Sequence, residues 1–220
     1  MNRLQLRELT LSYLDDSSGT YFTEAQVNVW LQNAQRKVQR QLIEAKQNFY
    51  LKCVQTEIQE NQCGLALPSD FMMCHRLEII LSGTFPNENK CPLTPITLMQ
   101  QDLLGPTPSV PQAYYFKKNV IGIAPIPQEA YVIRMVYSYA VTDMLYDVSV
   151  PDVPERYQEL MAIYAAIDGF LKDDRDNAYL MKIADSYIEG MKRESQQRQE
   201  QTSRSVVSTG GDWGYGGDIF

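Results

Sequence analysis

Apolar positions along the chain follow two regimes, a helical period at both ends and a strand-like alternation between them. Residues 2–14 carry leucines at helical spacing, with Leu4, Leu11 and Leu14 on one side and Leu6, Leu9 and Tyr13 on another. Asp15-Asp16-Ser17-Ser18-Gly19 reads as a loop. A second helix is predicted to open at Thr23, with Gln26 completing a capping box and Phe22 and Val27 forming a hydrophobic staple. It runs to about residue 47, and Val27, Trp30, Leu31, Ala34, Val38, Leu42 and Ala45 make its core stripe. Val29, Arg36, Arg40 and Ile43 gather on the opposite side. Arginines there suit a solvated face, and the two β-branched residues beside them suit a subunit surface.

From residue 50 the period changes. Val54-Thr56-Ile58 and Leu77-Ile79-Leu81 alternate, and Ala130 to Tyr139 is rich in Tyr, Val and Ile. Ala113–Phe116, Lys118-Asn119 and Val120–Ala124 read as a hairpin. Pro92, Pro95, Pro106, Pro108, Pro111, Pro125 and Pro127 exclude long helices, and Thr97 with Gln100 caps at most one or two turns.

A third helix is predicted from Pro154 to about Leu171. Tyr157, Leu160, Met161, Tyr164 and Leu171 share one face, and Ala162, Ile163, Ala166 and Phe170 share the other. A helix apolar all round is covered on both sides, so Ile163, Ala166 and Phe170 are expected to meet a neighbouring subunit. Asp168 sits within the first stripe and needs a partner, from a tyrosine hydroxyl or a neighbour's arginine. After Asp173-Asp174-Arg175-Asp176 comes a last helix with a stripe of Leu180, Met181, Ala184, Tyr187, Ile188 and Met191. From Thr202 periodicity stops. The glycine-rich end is expected to be flexible, yet Trp213, Tyr215, Ile219 and Phe220 are costly in water and suit anchors onto a partner. The fold class is α+β and mainly helical: a four-helix core (1–49 and 154–201), a β-rich insertion (50–153) between helices two and three, and a flexible C-terminal tail (202–220).

Composition narrows the chemistry. With 44% hydrophobic and 21% charged residues, the 220-residue chain is an ordinary globular protein. No stretch reaches the roughly 18 apolar residues of a membrane span, and the polar–apolar alternation of the N-terminus is not that of a secretory signal. The net charge of -7 disfavours gripping a phosphate backbone. Cys53, Cys63, Cys74 and Cys91 lack metal-ligand or disulfide-framework spacing and are expected to be reduced, mostly buried thiols. The single histidine, His75, adjoins Cys74, but neighbours along a strand point to opposite faces and make no nucleophile–base pair. The acidic turn lacks calcium-loop spacing and suits a helix N-terminus. No catalytic, metal or cofactor site is expected.

These motifs in this order resemble the head-to-tail adaptor proteins of tailed phages, especially the tail tubular protein A type of short-tailed phages. FTEAQVNVWLQNAQRKV lies at the second helix, LPSDF, PLTPITLMQQDL and IGIAPIPQEAYVIRMVY follow through the insertion, and VPERYQELMAIYAA opens the third helix. The resemblance implies a non-enzymatic virion protein, made in the host cytoplasm and assembled as a dodecameric homo-oligomer at the head–tail junction. Its partners would be a portal protein and a tail or nozzle protein, with DNA crossing the lumen without specific binding and no membrane involved. A rival reading is a monomeric module holding a ligand or peptide on its β insertion, and a third is a hydrolase using scattered carboxylates.

Overall fold

The computed structural model describes residues 1–83, 87–103 and 107–208. It contains two compact units, each described by itself. One combines Met1–Phe49 with the described residues from Thr142 onward, and the other is Tyr50–Val141.

The first unit is helical. Helix α1 (Arg3–Tyr13) opens on a capping box between Asn2 and Gln5, and α2 (Glu24–Glu44) on the expected one between Thr23 and Gln26. Asp16 fixes the loop between them by accepting the backbone N–H groups of Thr20, Tyr21 and Phe22, which hold its carboxyl below the usual range. The short α3 (Leu98–Leu103) belongs to the second unit and opens on the Thr97–Gln100 box. The helical unit continues with α4 (Gln158–Lys172), entered through a 3-10 turn after Pro154, and α5 (Ala178–Ser208). Asp176 accepts the N–H of Ala178 and so caps α5.

α4 packs against α1, α2 and α5. Leu160, Met161, Ala162, Ile163, Ala165 and Ala166 are all 0% exposed. Its small residues permit close approach: a Cβ on Gly169 would lie 2.7 Å from the Leu14 side chain. The α2 stripe is buried as its period demands, save that Trp30 is only half-buried.

Five sequence expectations give way here. Leu171 is exposed, not part of the core stripe. On α1 the buried face is Leu6, Thr10, Leu11 and Leu14, with Leu4 exposed, because the Thr10 hydroxyl donates to the Leu6 carbonyl and so tolerates burial. α5 continues past residue 201 to Ser208, since no glycine or proline falls between residue 201 and Gly210. Residues 142–153 join the helical unit rather than the insertion, because α1 and α2 hold them: Gln35 donates to the Thr142 carbonyl at 2.8 Å. Asp168 faces Lys37 of its own chain rather than a neighbour's arginine. Burial raises its carboxyl pKa, and the lysine charge opposes the rise.

The second unit is two four-stranded sheets. One runs β1 (Leu51–Ile58), β8 (Tyr131–Tyr139), β3 (Phe71–Ser82) and β4 (Asn89–Pro92); the other runs β2 (Gly64–Ala66), β7 (Val120–Ala124), β6 (Ala113–Lys117) and β5 (Thr94–Pro95). Alternation directs Ile58, Leu77, Ile79, Ile133 and Tyr137 of the first sheet into one core with Tyr114, Ile121 and Ile123 of the second. On the other face of the first sheet Arg134 is buried at a row fixed by register, opposite Gln55 on β1 and Glu78 on β3. Its guanidinium pairs with Glu78 at 3.3 Å and with Glu88. The expected hairpin is β6–β7, turning at Lys118, which adopts a positive φ.

The burial of α4 sets an expected outcome. Ile163→Ala should lower subunit stability by about 2–5 kcal/mol in urea unfolding, whereas Val29→Ala should change it by no more than about 0.5 kcal/mol. Equal and small effects would mean that α4 is not the centre of the packing.

Candidate assembly interface

Positions 29, 36, 40 and 43 repeat every third or fourth residue and more, so α2 presents them together on the side away from its buried stripe. Val29 is 55% exposed, Arg36 and Arg40 are exposed, and Ile43 is half-buried. The Arg36 guanidinium is already paired with Asp143 of the same chain at 2.7 Å. What this face offers a partner is therefore Val29 with part of Ile43 and the charge of Arg40.

The other interface candidates lie elsewhere. Ile163 and Ala166 are fully buried and Phe170 is 9% exposed in the single chain. The second apolar face of α4 is covered by helices of its own unit, not left for a neighbour. A 3.6-residue period reports that a face is covered, but not by which chain. Trp213, Tyr215, Ile219 and Phe220 lie outside the described residues.

One exposed apolar stretch among the described residues was not singled out by periodicity. Leu145, Tyr146, Val148 and Val150 are 66–79% exposed within six residues. The segment is nevertheless firmly held. Asp147 accepts from Arg3 at 2.7 and 3.1 Å and from Arg7 at 3.0 and 3.3 Å. Arg3 also donates to the carbonyls of Met144 and Leu145. The backbone N–H groups of Arg3 and Leu4 donate to Ser149 and Asp147, and Met144 is buried beneath. A short turn thus displays four large apolar side chains on a fixed frame, so little conformational entropy remains to be lost on docking. The sequence signal was present in Leu-Tyr-Asp-Val-Ser-Val, whose apolar residues alternate with hydrogen-bonding ones outside any strand.

Among the described residues, Cys74 and His75 do not form a reactive pair. β3 bulges between Cys74 and Arg76. His75 approaches the Ser138 hydroxyl at 2.6 Å, whereas the Cys74 thiol contacts the Tyr114 hydroxyl and is pushed up by burial. The cysteines are free but not mostly buried: Cys53 and Cys63 are exposed and Cys74 and Cys91 half-buried, with Cys74 alone of the four packed against the core of the β unit. Among the described residues, no cluster of three or more His, Cys, Asp or Glu side chains is placed to hold a metal ion. No described helix is long and apolar enough to cross a membrane.

The frame of the turn depends on ionised Asp147. Hydrogen bonds from Arg3 and then Arg7 hold its carboxyl below the usual range, so its stabilisation is complete above the ordinary aspartate value of about 3.9 and is lost as pH falls through the lower folded value. Asp147→Asn at neutral pH should accelerate amide exchange at Arg3 and Leu4 while leaving α4 protected. Unchanged exchange at both amides would show that the ion pairs do not hold the turn.

No individually curated protein matches the chain. The profile of the SU10 adaptor protein family matches residues 1–209, a span that includes both units, the pinned turn and α5. With nearly its whole length matched, the chain belongs to the SU10 adaptor protein family, the non-catalytic structural proteins that serve as phage head-to-tail adaptors.

Proposed function

We propose that the chain assembles as a homo-oligomeric ring, a dodecamer of the tail tubular protein A type, joining portal to tail with DNA crossing its lumen. Membership of an adaptor family supports the role, and the order of sequence motifs supports the finer likeness. The observation that carries the ring is the turn at 145–150. Four large apolar side chains fixed in water on one small patch call for a covering surface. When that surface is a different patch on an identical subunit, the contact is heterologous and closes into a ring if the rotation allows. In this reading Val29, Arg40 and Ile43 of α2 extend the subunit surface, with Arg36 kept in place by Asp143.

The C-terminal residues Trp213, Tyr215, Ile219 and Phe220 act as anchors onto the portal or another subunit, and the remaining face meets the tail or nozzle protein. An acidic chain with a pI near 4.8 repels phosphates, which suits a lumen through which DNA slides.

Two measurements test this. The double substitution Leu145→Asp with Val148→Asp should leave subunit stability within about 0.5 kcal/mol, as both positions are exposed, but should abolish the oligomer in native mass spectrometry or its assembly on portal. Normal assembly by the variant would remove the turn from the interface. The isolated protein should show no saturable binding to duplex DNA at physiological salt, and tight binding there would contradict a passive lumen.

A further inference from the structure

The β unit contains a cleft that none of the foregoing uses. Its volume is roughly 550 Å³, within the range of ligand and peptide sites, and its walls include Phe71, Met72, Met73, Phe116 and Lys118. Met72, Met73 and Phe116 are 38–44% exposed, a large apolar surface to leave open on a folded sandwich. Phe71 and Phe116 stand 5.8 Å apart between ring centroids and form its apolar floor.

Strand edges adjoin it. β4 pairs only with the far part of β3, from Glu78 to Ser82. Among the described residues, no strand flanks the half of β3 from Phe71 to Arg76 on the side away from β8. β5 pairs only with Ala113 and Tyr114 of β6, so on the side of β6 away from β7 no described strand continues beside Phe116 and Lys117. Two bulges in β3 make Met72 and His75 extra residues in the ladder, and the first leaves consecutive methionines both lining the cleft rather than alternating across the sheet. Methionine is the side chain that moulds most readily to an aromatic guest. Lys118 stands at the rim, exposed and without an ion pair among the described residues.

We propose that this cleft is the docking site for residues 212–217 of a second copy of the chain, Asp-Trp-Gly-Tyr-Gly-Gly, laid in extended form along the free half of β3. This rests on the reading that Trp213 and Tyr215 are anchors, and it names the surface they grip. The match is chemical and geometric. In a strand Trp213 and Tyr215 point to one face, toward the methionines and Phe116, while Gly214 and Gly216 leave the opposite side narrow. Asp212, preceding the first aromatic, supplies the charge that Lys118 lacks. The six residues of β3 from Phe71 to Arg76 and the six from Asp212 to Gly217 have equal extended length, about 20 Å. Strand addition to an exposed edge takes affinity from backbone hydrogen bonds and specificity from pockets for alternate side chains.

The test uses the full-length chain carrying Trp213→Ala with Tyr215→Ala, so that its own segment does not compete. A fluorescein-labelled synthetic peptide of residues 208–220 is titrated into it by anisotropy. Saturable binding is expected, weakened about tenfold by Met73→Asp in the cleft and not by Leu171→Asp at an exposed position of the helical unit. Lys118→Glu should weaken it several-fold, and a peptide with Asp212→Lys should restore binding to that variant, a recovery that misfolding does not mimic. Absence of saturable binding at millimolar peptide, or binding indifferent to both cleft substitutions, overturns the proposal. If removing residues 209–220 weakens incorporation into particles while the peptide ignores the cleft, the anchors stand and this docking site does not.

Discussion

The helical unit depends on one helix being covered from every direction. α4 is apolar all round, and left in water it would expose Leu160, Met161, Ile163, Tyr164, Ile167 and Phe170 together. Each large side chain of that kind contributes roughly 1.5–3 kcal/mol when fully buried, so α1, α2 and α5 are drawn onto it. The close approach at Gly169 lets Leu14 and Trp30 seat on the helix. With α1 placed, Arg3 and Arg7 stand where they can grip Asp147. The apolar turn is therefore shaped by a core from which its own side chains are absent.

The β unit is organised around a polar analogue of that constraint. Arg134 lies on the central strand β8 with neighbours on both sides, away from the apolar core. Buried and charged, it needs carboxylates in place, and register delivers Glu78 from the adjacent strand while Glu88 closes the pair. A pairing of this sort specifies register more than it adds stability, because slipping β8 by one residue would strand a charge. A fixed register in turn fixes where β3 bulges and where its edge is left open.

An adaptor has to be rigid where it is gripped and available where it grips. The turn at 145–150 and the outer face of α2 are surfaces on a packed frame, so docking there demands little reordering. Two tyrosines, Tyr13 and Tyr187, donate to Glu159 at 2.8 and 2.6 Å and tie α1 and α5 to α4. Both hydroxyls are pushed up to about 12, Tyr13 mainly by burial and Tyr187 mainly by this bond. Such ties resist torsion between helices and do no chemistry.

Periodicity by itself determined the class of each long element. The Thr23–Gln26 box, the stripe from Val27 to Ala45, the β6–β7 hairpin and the opening at Pro154 were legible because local hydrogen bonding and alternation dictate them. Short strands such as β2, β4 and β5 carry too few residues to show a period, and only pairing with a neighbour makes them strands. The two apolar faces of α4 were equally legible, but not that one chain covers both. Which residues share a face is a property of the helix; what lies against that face depends on contacts distant in sequence. For the same reason Leu145 to Val150 looked like the end of a β region until Arg3 and Arg7, some 140 residues away, pinned Asp147. Sequence determined which side chains want burial, and tertiary structure alone decided which of them were left waiting for a partner.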